Sequence, residues 1–231
     1  MEEMEQLETA TQTQFDPNFI DFLADFIQKG GVFMYVIIAV WLFGFIIALT
    51  RFKDLMKTLD VDGTSFMNEL HRYILSNDIQ GAIRVCSGSA AALPRVLKSG
   101  LKRASQSIDQ VQNALDATAL EVIPKVEKNL SLIPLMANIC TLFGLLGTIF
   151  GLITAFGAIE SADPEMKAKI LSQGISNAMH TTAMGLICAI ALMFIHAWLN
   201  KRAEKIVNEV DEFSVKLMDL LGTKKNETPQ G

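Results

Sequence analysis

Three long windows without a charged residue constrain the fold of this chain more than any other feature. Gly30–Thr50, Asn129–Ile159 and Ile170–Asn200 contain no Asp, Glu, Lys or Arg. A bilayer core about 30 Å thick needs ~20 apolar residues as a helix, and charges inside it are costly. The first window is just long enough to cross, whereas each of the others would reach ~46 Å as a helix. We therefore predict three transmembrane helices, two of which continue beyond the membrane.

The charges that flank these windows predict the orientation of the chain. The first 28 residues carry seven acidic residues and no Lys or Arg, unlike a cleavable signal peptide with its basic start. The positive-inside rule places the N-terminus outside, the segment 51–128 inside, the link 160–169 outside and the C-terminus inside. Cations follow the first and third windows at Arg51, Lys53, Lys57, Lys201, Arg202 and Lys205.

The windows and their flanks divide the chain into nine segments. The N-terminal flank contains an Asp16-Pro17 helix start followed by Phe residues at helical spacing, which fits a helix lying on the outer membrane surface or one docked on protein. The expected order is a disordered tail (1–15), this amphipathic helix (16–29), the first span (30–50), an inner helical domain (51–128), the second span (129–159), an outer loop (160–169), the third span (170–200), an inner helical extension (201–221) and a disordered tail (222–231).

The two inner segments are expected to be helical throughout. Apolar residues in 51–128 recur at helical spacing without strand-like alternation, and the last helix there, from Ile108, is expected to run into the second span with bends at Pro124 and Pro134. The same spacing predicts one helix from about residue 170 to 221. The predicted fold is an all-α membrane protein with three transmembrane helices, the second and third extending far into a cytoplasmic helical bundle.

One face of the second span consists of small residues, and the third span has a shorter counterpart. Small faces let membrane helices approach closely, which favours a helix-packing role for these residues. Polar groups in a membrane also mark ion paths, so a second interpretation is a pore lining formed by Thr148, Thr182, Thr181 and Asn177. The stripes comprise Ala137, Thr141, Gly144, Thr148, Gly151, Ala155 and Ala158 in the second span, and Ala178, Thr182, Gly185 and Ala189 in the third.

The long windows lack a carboxylate, which limits how they could carry protons. Hydroxyls and amides do not titrate near neutral pH, so the titrating group is His180, His196 or a residue of another protein. A lone membrane histidine is more often packed and hydrogen-bonded, and His180 is the stronger of the two candidates. The chain shows no basic patch for nucleic acid, no catalytic set of an enzyme and no Cys spacing for a metal, so no cofactor is expected.

The motifs LLGTIFG (145–151) and TTAMGL (181–186), with three spans and a large inner helical segment, resemble the MotA/TolQ/ExbB proton-channel family. The three-span layout is similar to ExbB and TolQ. The resemblance implies a homopentamer in the bacterial inner membrane around two copies of a single-span ExbD/TolR-type protein, whose essential aspartate enters the pore. The family's pore threonines match Thr148 and Thr182.

The resemblance further implies a motor that uses proton-motive force to energise an outer-membrane process through a TonB-like or Tol-like periplasmic effector. TonB-dependent import is the first expectation, and a TolQ-like envelope-integrity or gliding-motility motor is the alternative. The chain departs from ExbB and TolQ where Asn177 replaces a common glutamate and His180 a small or apolar residue. A secondary transporter would need inverted repeats and broken helices, which this sequence lacks. A non-conducting membrane scaffold, in which Thr148 and Thr182 only pack, stays open.

Overall fold

A computed structural model describes Ala24 and residues 26–28, 30–59, 62–160 and 162–227. The predicted tail 1–15 and most of the amphipathic helix 16–29 lie outside the described residues, although residues 26–28 are helical. The helices are α1 (Gly31–Lys53), which continues as a π-helical segment (Asp54–Leu59), α2 (Gly63–Leu75), α3 (Ile79–Ser87), α4 (Ala92–Leu101), α5 (Ile108–Glu127), α6 (Leu132–Glu160) and α7 (Pro164–Glu227).

The all-α membrane fold is confirmed. Helices α1 and α6 contain most of the first two uncharged windows, α7 contains all of the third, and each of the three is long and apolar enough to cross a bilayer. Large apolar side chains stay exposed along all three, including Phe43, Phe156 and Phe194, as expected for surfaces that face lipid or other subunits. The second and third of these membrane helices lie within much longer helical stretches, as the sequence predicted.

The helix expected to run unbroken into the second span is interrupted by a turn. Helix α5 ends at Glu127 and α6 begins at Leu132, because Asn129 adopts a left-handed backbone with φ of 60°, which Asn tolerates better than most residues. Pro134 consequently falls in the first turn of α6. Backbone N–H groups there have no intrahelical acceptor, so the N–H that proline lacks costs no hydrogen bond. The expected bend at Pro134 is therefore replaced by a helix start just before it.

A buried arginine satisfies the end of α5. Arg51 is 5% exposed, and its Nη2 donates to the carbonyl oxygens of Lys125 at 3.1 Å and Val126 at 2.6 Å. Its Nη1 donates to Asp54 at 3.1 Å. Carbonyl groups in the last turn of a helix lack intrahelical partners, so the guanidinium group caps α5 from another part of the chain.

Replacing Arg51 by methionine is expected to lower the free energy of unfolding by about 1–3 kcal/mol, because two buried carbonyl groups lose a charged donor. Thermal unfolding of the purified protein in detergent would measure the change. Lys128→Met removes an exposed cation from the adjacent turn and serves as the control. Equal unfolding temperatures for the two variants would contradict the capping role.

The last long helix is longer at both ends than the sequence predicted. It begins at Pro164 rather than near residue 170, because proline suits the first helical turn and the Asp163 carbonyl accepts the N–H of Met166 at 2.9 Å. The outer loop expected over 160–169 is correspondingly short. The helix also continues through Gly222 to Glu227, into the segment expected to be a loose tail.

The chain divides into two compact units. The first comprises the described residues up to Phe43 together with Met136–Ala191, and the second comprises Gly44–Leu135 together with the described residues from Leu192 onward. In the second unit α7 buries one apolar face, as its spacing predicted. The fully or nearly fully buried residues of this face are Ala203, Ile206, Val210, Phe213, Leu217 and Leu221.

A thiol in the second unit provides a test of this core. Burial raises the pKa of Cys86 to about 11 from 9.0, and the positive charge of Lys98 offsets only part of that effect. At pH 8 the reactive thiolate is then roughly a hundredfold scarcer than in an ordinary cysteine. We expect iodoacetamide to alkylate Cys86 about that much more slowly in folded than in denatured protein, as measured by peptide mapping. Equal rates in both states would show that α3 does not bury this side chain.

Candidate functional site

In the first compact unit the small-residue stripes of α6 and α7 face each other. An ideal Cβ atom on Gly144 would lie 3.2 Å from the Cα atom of Thr182 and 3.3 Å from that of Gly185. On Gly185 it would lie only 2.7 Å from the carbonyl oxygen of Cys140. The two backbones are therefore in direct contact here, which is the close approach that small residues permit.

The same contact continues along both helices in antiparallel register. A Cβ atom on Gly151 would lie 2.7 Å from that of Ala178, and one on Gly174 would meet Ala155. Ala137 is 1% exposed, so it too is buried. Gly174 was not predicted from the sequence as part of the stripe. It precedes Ala178 by four residues, and this spacing could have indicated that the stripe extends by one helical turn. The remaining stripe members are Ala189, which is buried, Thr141, which is half-buried, and Ala158, which is exposed.

Two threonine hydroxyls meet across this contact. Thr182 Oγ1 donates to the carbonyl oxygen of Gly144 at 2.9 Å, and Thr148 Oγ1 donates to that of Leu145 at 2.7 Å. The two hydroxyl oxygens lie 3.1 Å apart. Thr148 Oγ1 also lies 3.4 Å from the Gly144 carbonyl oxygen. Each hydroxyl has one proton and two lone pairs, so two protons serve four contacts and acceptor capacity remains unused. The pair can change its hydrogen bonds by rotating an O–H bond, without moving a backbone.

Thr181 lies next to this pair in sequence but in a different environment. It is 3% exposed, and its hydroxyl donates to the carbonyl oxygen of Ala178 at 2.7 Å. An ideal Cβ atom on Gly147 would lie 2.6 Å from Thr181 Oγ1. Gly147 belongs to the LLGTIFG motif but was not predicted as part of the small-residue stripe, although it follows Gly144 by one helical turn. The pore-lining role of Thr181 stays a prediction, since within one chain its side chain fills the contact between α6 and α7.

Asn177 faces a cavity within the first unit. The cavity has a volume of about 250 Å³, and neither Thr148 nor Thr182 lines it. Among the described residues the Asn177 amide has no hydrogen-bond partner. The lining is mostly apolar, and its polar side chains are Asn177, Thr154 and Thr181. A space of this size holds several water molecules at ~30 Å³ each, provided that such polar groups bind them. Other residues that line the cavity are Gly30, Phe33, Phe150, Gly151, Thr154 and Thr181.

His180 is held by its own helix and by an aromatic ring. Its Nδ1 atom lies 2.5 Å from the carbonyl oxygen of Ser176, so Nδ1 carries a proton and, in the neutral ring, Nε2 is the acceptor. The imidazole ring contacts Phe26 with centroids 4.8 Å apart. This environment favours the packing interpretation, and a proton-transfer role for His180 stays a prediction.

Comparisons with known proteins agree on one family and one fold. The sequence profile of the MotA/TolQ/ExbB proton channel family matches residues 89–212, more than half of the chain and all of the Thr148–Thr182 contact. A protein of Methanothermobacter thermautotrophicus named as an ExbB homolog of biopolymer transport is 24% identical over 195 residues, 84% of this chain and 68% of that protein. The Tol-Pal system protein TolQ of Haemophilus influenzae is 27% identical over 111 residues, 46% of this chain and 48% of TolQ.

A solved structure provides the comparison in three dimensions. The structure of C. jejuni MotAB matches with a TM-score of 0.56 at 17% sequence identity, over 76% of this chain and 66% of that chain. At this identity the likeness shows a shared fold. The chain also spans about half the length of TolQ.

Proposed function

Because this chain belongs to the MotA/TolQ/ExbB proton channel family, we propose that it is the stator-like subunit of a motor in the bacterial inner membrane. Its N-terminus is periplasmic and its C-terminus is cytoplasmic. Five copies form a ring around two copies of a single-span ExbD/TolR-type partner. Proton flow through the complex is converted into mechanical work on an outer-membrane process.

The hydroxyl pair of Thr148 and Thr182 is the observation that supports this proposal most directly. It lies in a region of α6 and α7 that contains no carboxylate, and these helices are in direct backbone contact. A hydroxyl pair can solvate a proton carrier but cannot itself release a proton near neutral pH. We therefore infer that the titrating acid is supplied by the partner, as the membrane aspartate that the resemblance to the family implies, with His180 as the predicted alternative on this chain.

The geometry of the pair suits both states of such an acid. A protonated carboxyl group donates a hydrogen bond to the unused lone pairs of the hydroxyls. An ionised carboxylate needs donors, which the pair supplies when Thr148 rotates its O–H bond away from Leu145. That rotation costs about one hydrogen bond, ~0.5–1.5 kcal/mol, whereas a proton crossing 100 mV releases ~2.3 kcal/mol. Each proton thus supplies more free energy than the rearrangement needs.

The ring and its partner have different symmetries, which links protonation to movement. Two aspartate helices inside a fivefold ring cannot occupy equivalent positions at the same time. Protonating one aspartate removes its need for donors and changes which register of the ring is preferred. Repeated protonation and release would drive one component around the other.

We infer that the process served is TonB-dependent import, since a relative that matches 84% of this chain is named for ExbB and biopolymer transport. The match to TolQ favours a second candidate, a Tol-type role in envelope integrity. Affinity purification from the native membrane separates these candidates, because the periplasmic effector that co-purifies would be TonB-like in one case and Tol-like in the other.

Reconstitution tests the motor proposal itself. We expect the chain alone in liposomes to conduct protons poorly, and the complex with its single-span partner to conduct them well. The partner should be a small protein with an aspartate in its span, identified by mass spectrometry after co-purification. Full proton flux from the chain alone would show that the acid is not supplied by another protein.

Replacing Asn177 by alanine is expected to lower proton flux through the complex roughly fivefold, the effect of losing about 1 kcal/mol of hydrogen bonding to water in the cavity. Proton uptake into vesicles containing the complex measures this effect. Asn200→Ala, at the end of the third uncharged window, is the control because its amide bonds Glu204. Unchanged flux in Asn177→Ala would assign the side chain to packing.

A further inference from the structure

Aromatic rings and cations meet in the second unit, where α1 and α7 leave their uncharged windows. The rings of Phe52 and Trp198 stack with centroids 5.2 Å apart and an interplanar angle of 18°. The guanidinium carbon of Arg202 lies 5.5 Å from the centroid of the Trp198 ring, within the range of a cation–π interaction. Both aromatic side chains remain about two-fifths exposed.

Positive charge surrounds this aromatic pair. Lys201 and Arg202 follow Trp198 by three and four residues, so all three side chains lie on one face of α7. Lys53 and Lys201 are exposed and form no ion pair with any described residue. Among the described carboxylates, Asp54 is engaged by Arg51 and Glu204 by the amide of Asn200.

Exposed apolar residues precede Phe52 and Trp198 within the uncharged windows of α1 and α7. Leu49 precedes Phe52 by three residues on α1 and is 47% exposed, and Phe194 precedes Trp198 by four residues on α7 and is 75% exposed. The order along both helices is therefore apolar residue, aromatic ring, cation. This is the order in which a phospholipid presents its acyl chain, its interfacial region and its phosphate.

We propose that Phe52, Trp198, Lys201 and Arg202 form a binding site for an anionic phospholipid. The acyl chain lies along Leu49 and Phe194, and the negatively charged headgroup contacts Lys201 and Arg202. A zwitterionic lipid offers the same chain without the net charge, so the cations select for anionic headgroups. Each cation near a headgroup contributes roughly a fivefold preference. The proposal does not depend on the proton-channel role of the chain.

The tryptophan itself reports on this site. The sequence contains two Trp residues, so Trp41→Phe leaves Trp198 as the sole tryptophan. The full-length variant is reconstituted into phosphatidylcholine vesicles that contain a minor fraction of brominated phosphatidylglycerol or, in parallel, of brominated phosphatidylcholine. Bromine quenches tryptophan on contact. Because two cations contact the headgroup, we expect quenching by brominated phosphatidylglycerol to need roughly one twenty-fifth as much lipid.

Two variants show whether the cations cause the preference. Adding Lys201→Gln and Arg202→Gln to Trp41→Phe should equalise quenching by the two lipids, with an unchanged circular dichroism spectrum. Trp198→Phe retains Trp41, which lies mid-window and should show no headgroup preference. The proposal is overturned if the two lipids quench Trp198 equally, if the Gln variant keeps the preference, or if neither lipid quenches because another chain covers Trp198.

Discussion

Replacing Thr148 and Thr182 together by valine is expected to abolish proton flux through the complex while the chain still folds and assembles. Valine keeps the shape of threonine and removes only the hydroxyl. A hydrogen bond to a charged group is worth ~1.5–3 kcal/mol, so each single variant should lose roughly one to two orders of magnitude of flux. The double variant leaves an ionised aspartate without these donors, and its loss should approach three orders of magnitude.

The two substitutions should not act independently. The hydroxyl oxygens lie 3.1 Å apart and share their protons, so removing one hydroxyl already alters the other. Residues in one hydrogen-bond network show interaction energies of ~0.5–3 kcal/mol in double-mutant cycles. We therefore expect the double variant to lose less than the product of the single losses. A cycle with perfect additivity would mean that the two hydroxyls solvate different groups.

Thr141→Val provides the matched control. Thr141 belongs to the same stripe of α6 and is half-buried, but among the described residues its hydroxyl donates only to the carbonyl oxygen of Ala137, at 3.3 Å. Its replacement should leave proton flux within about twofold of the flux through the unsubstituted complex. A hydroxyl that bonds only a carbonyl group of its own helix contributes little. Flux is measured with a pH-sensitive dye in vesicles containing the complex. Normal flux in Thr148→Val/Thr182→Val would show that both residues serve helix packing and not proton flux.

The membrane helices were predictable from the sequence because a single strong constraint determines them. Charges are expelled from a bilayer core, so uncharged windows mark spans whatever the rest of the chain does. Helix ends follow weaker rules. The turn between α5 and α6 combines the left-handed backbone of Asn129 with a cap from Arg51 on carbonyl groups more than seventy residues later in the chain, and no local pattern shows that cap.

The site was predictable to a similar degree. The alternating spacing of small residues indicated which faces of α6 and α7 could pack closely but not whether they meet each other, and Thr148 and Thr182 lie on those faces. Neighbouring residues on a helix point about 100° apart, so the spacing placed Thr182 on the stripe and left Thr181 off it, although Thr181 is also buried against α6. The cavity beside Asn177 depends on where Gly30 and the start of α1 lie, which the pattern of α7 does not contain.

Replacing Gly185 by alanine is expected to have the second largest effect, because it pushes α6 and α7 apart at their closest approach. The added Cβ atom would lie 2.7 Å from the carbonyl oxygen of Cys140, and this oxygen belongs to a helix backbone that cannot rotate away. Overpacking of this kind costs ~1–3 kcal/mol. Thermal unfolding in detergent should show this loss. Gly157→Ala, with no atom within 4 Å of its new Cβ, should be neutral or stabilising.

The same substitution should also impair proton flux, because one face carries both the glycine contact and the hydroxyl pair. Gly185 lies one helical turn from Thr182, and Thr182 contacts Thr148 at 3.1 Å. A separation of half an ångström would take this contact beyond the length of a useful hydrogen bond. Membrane helices gain no hydrophobic driving force to close the gap, so the separation would persist.

Flux lost in Gly185→Ala but kept in Gly157→Ala would show that close backbone contact holds the hydroxyls in place. Normal flux despite lower stability would show that the pair tolerates displacement and does not depend on this packing.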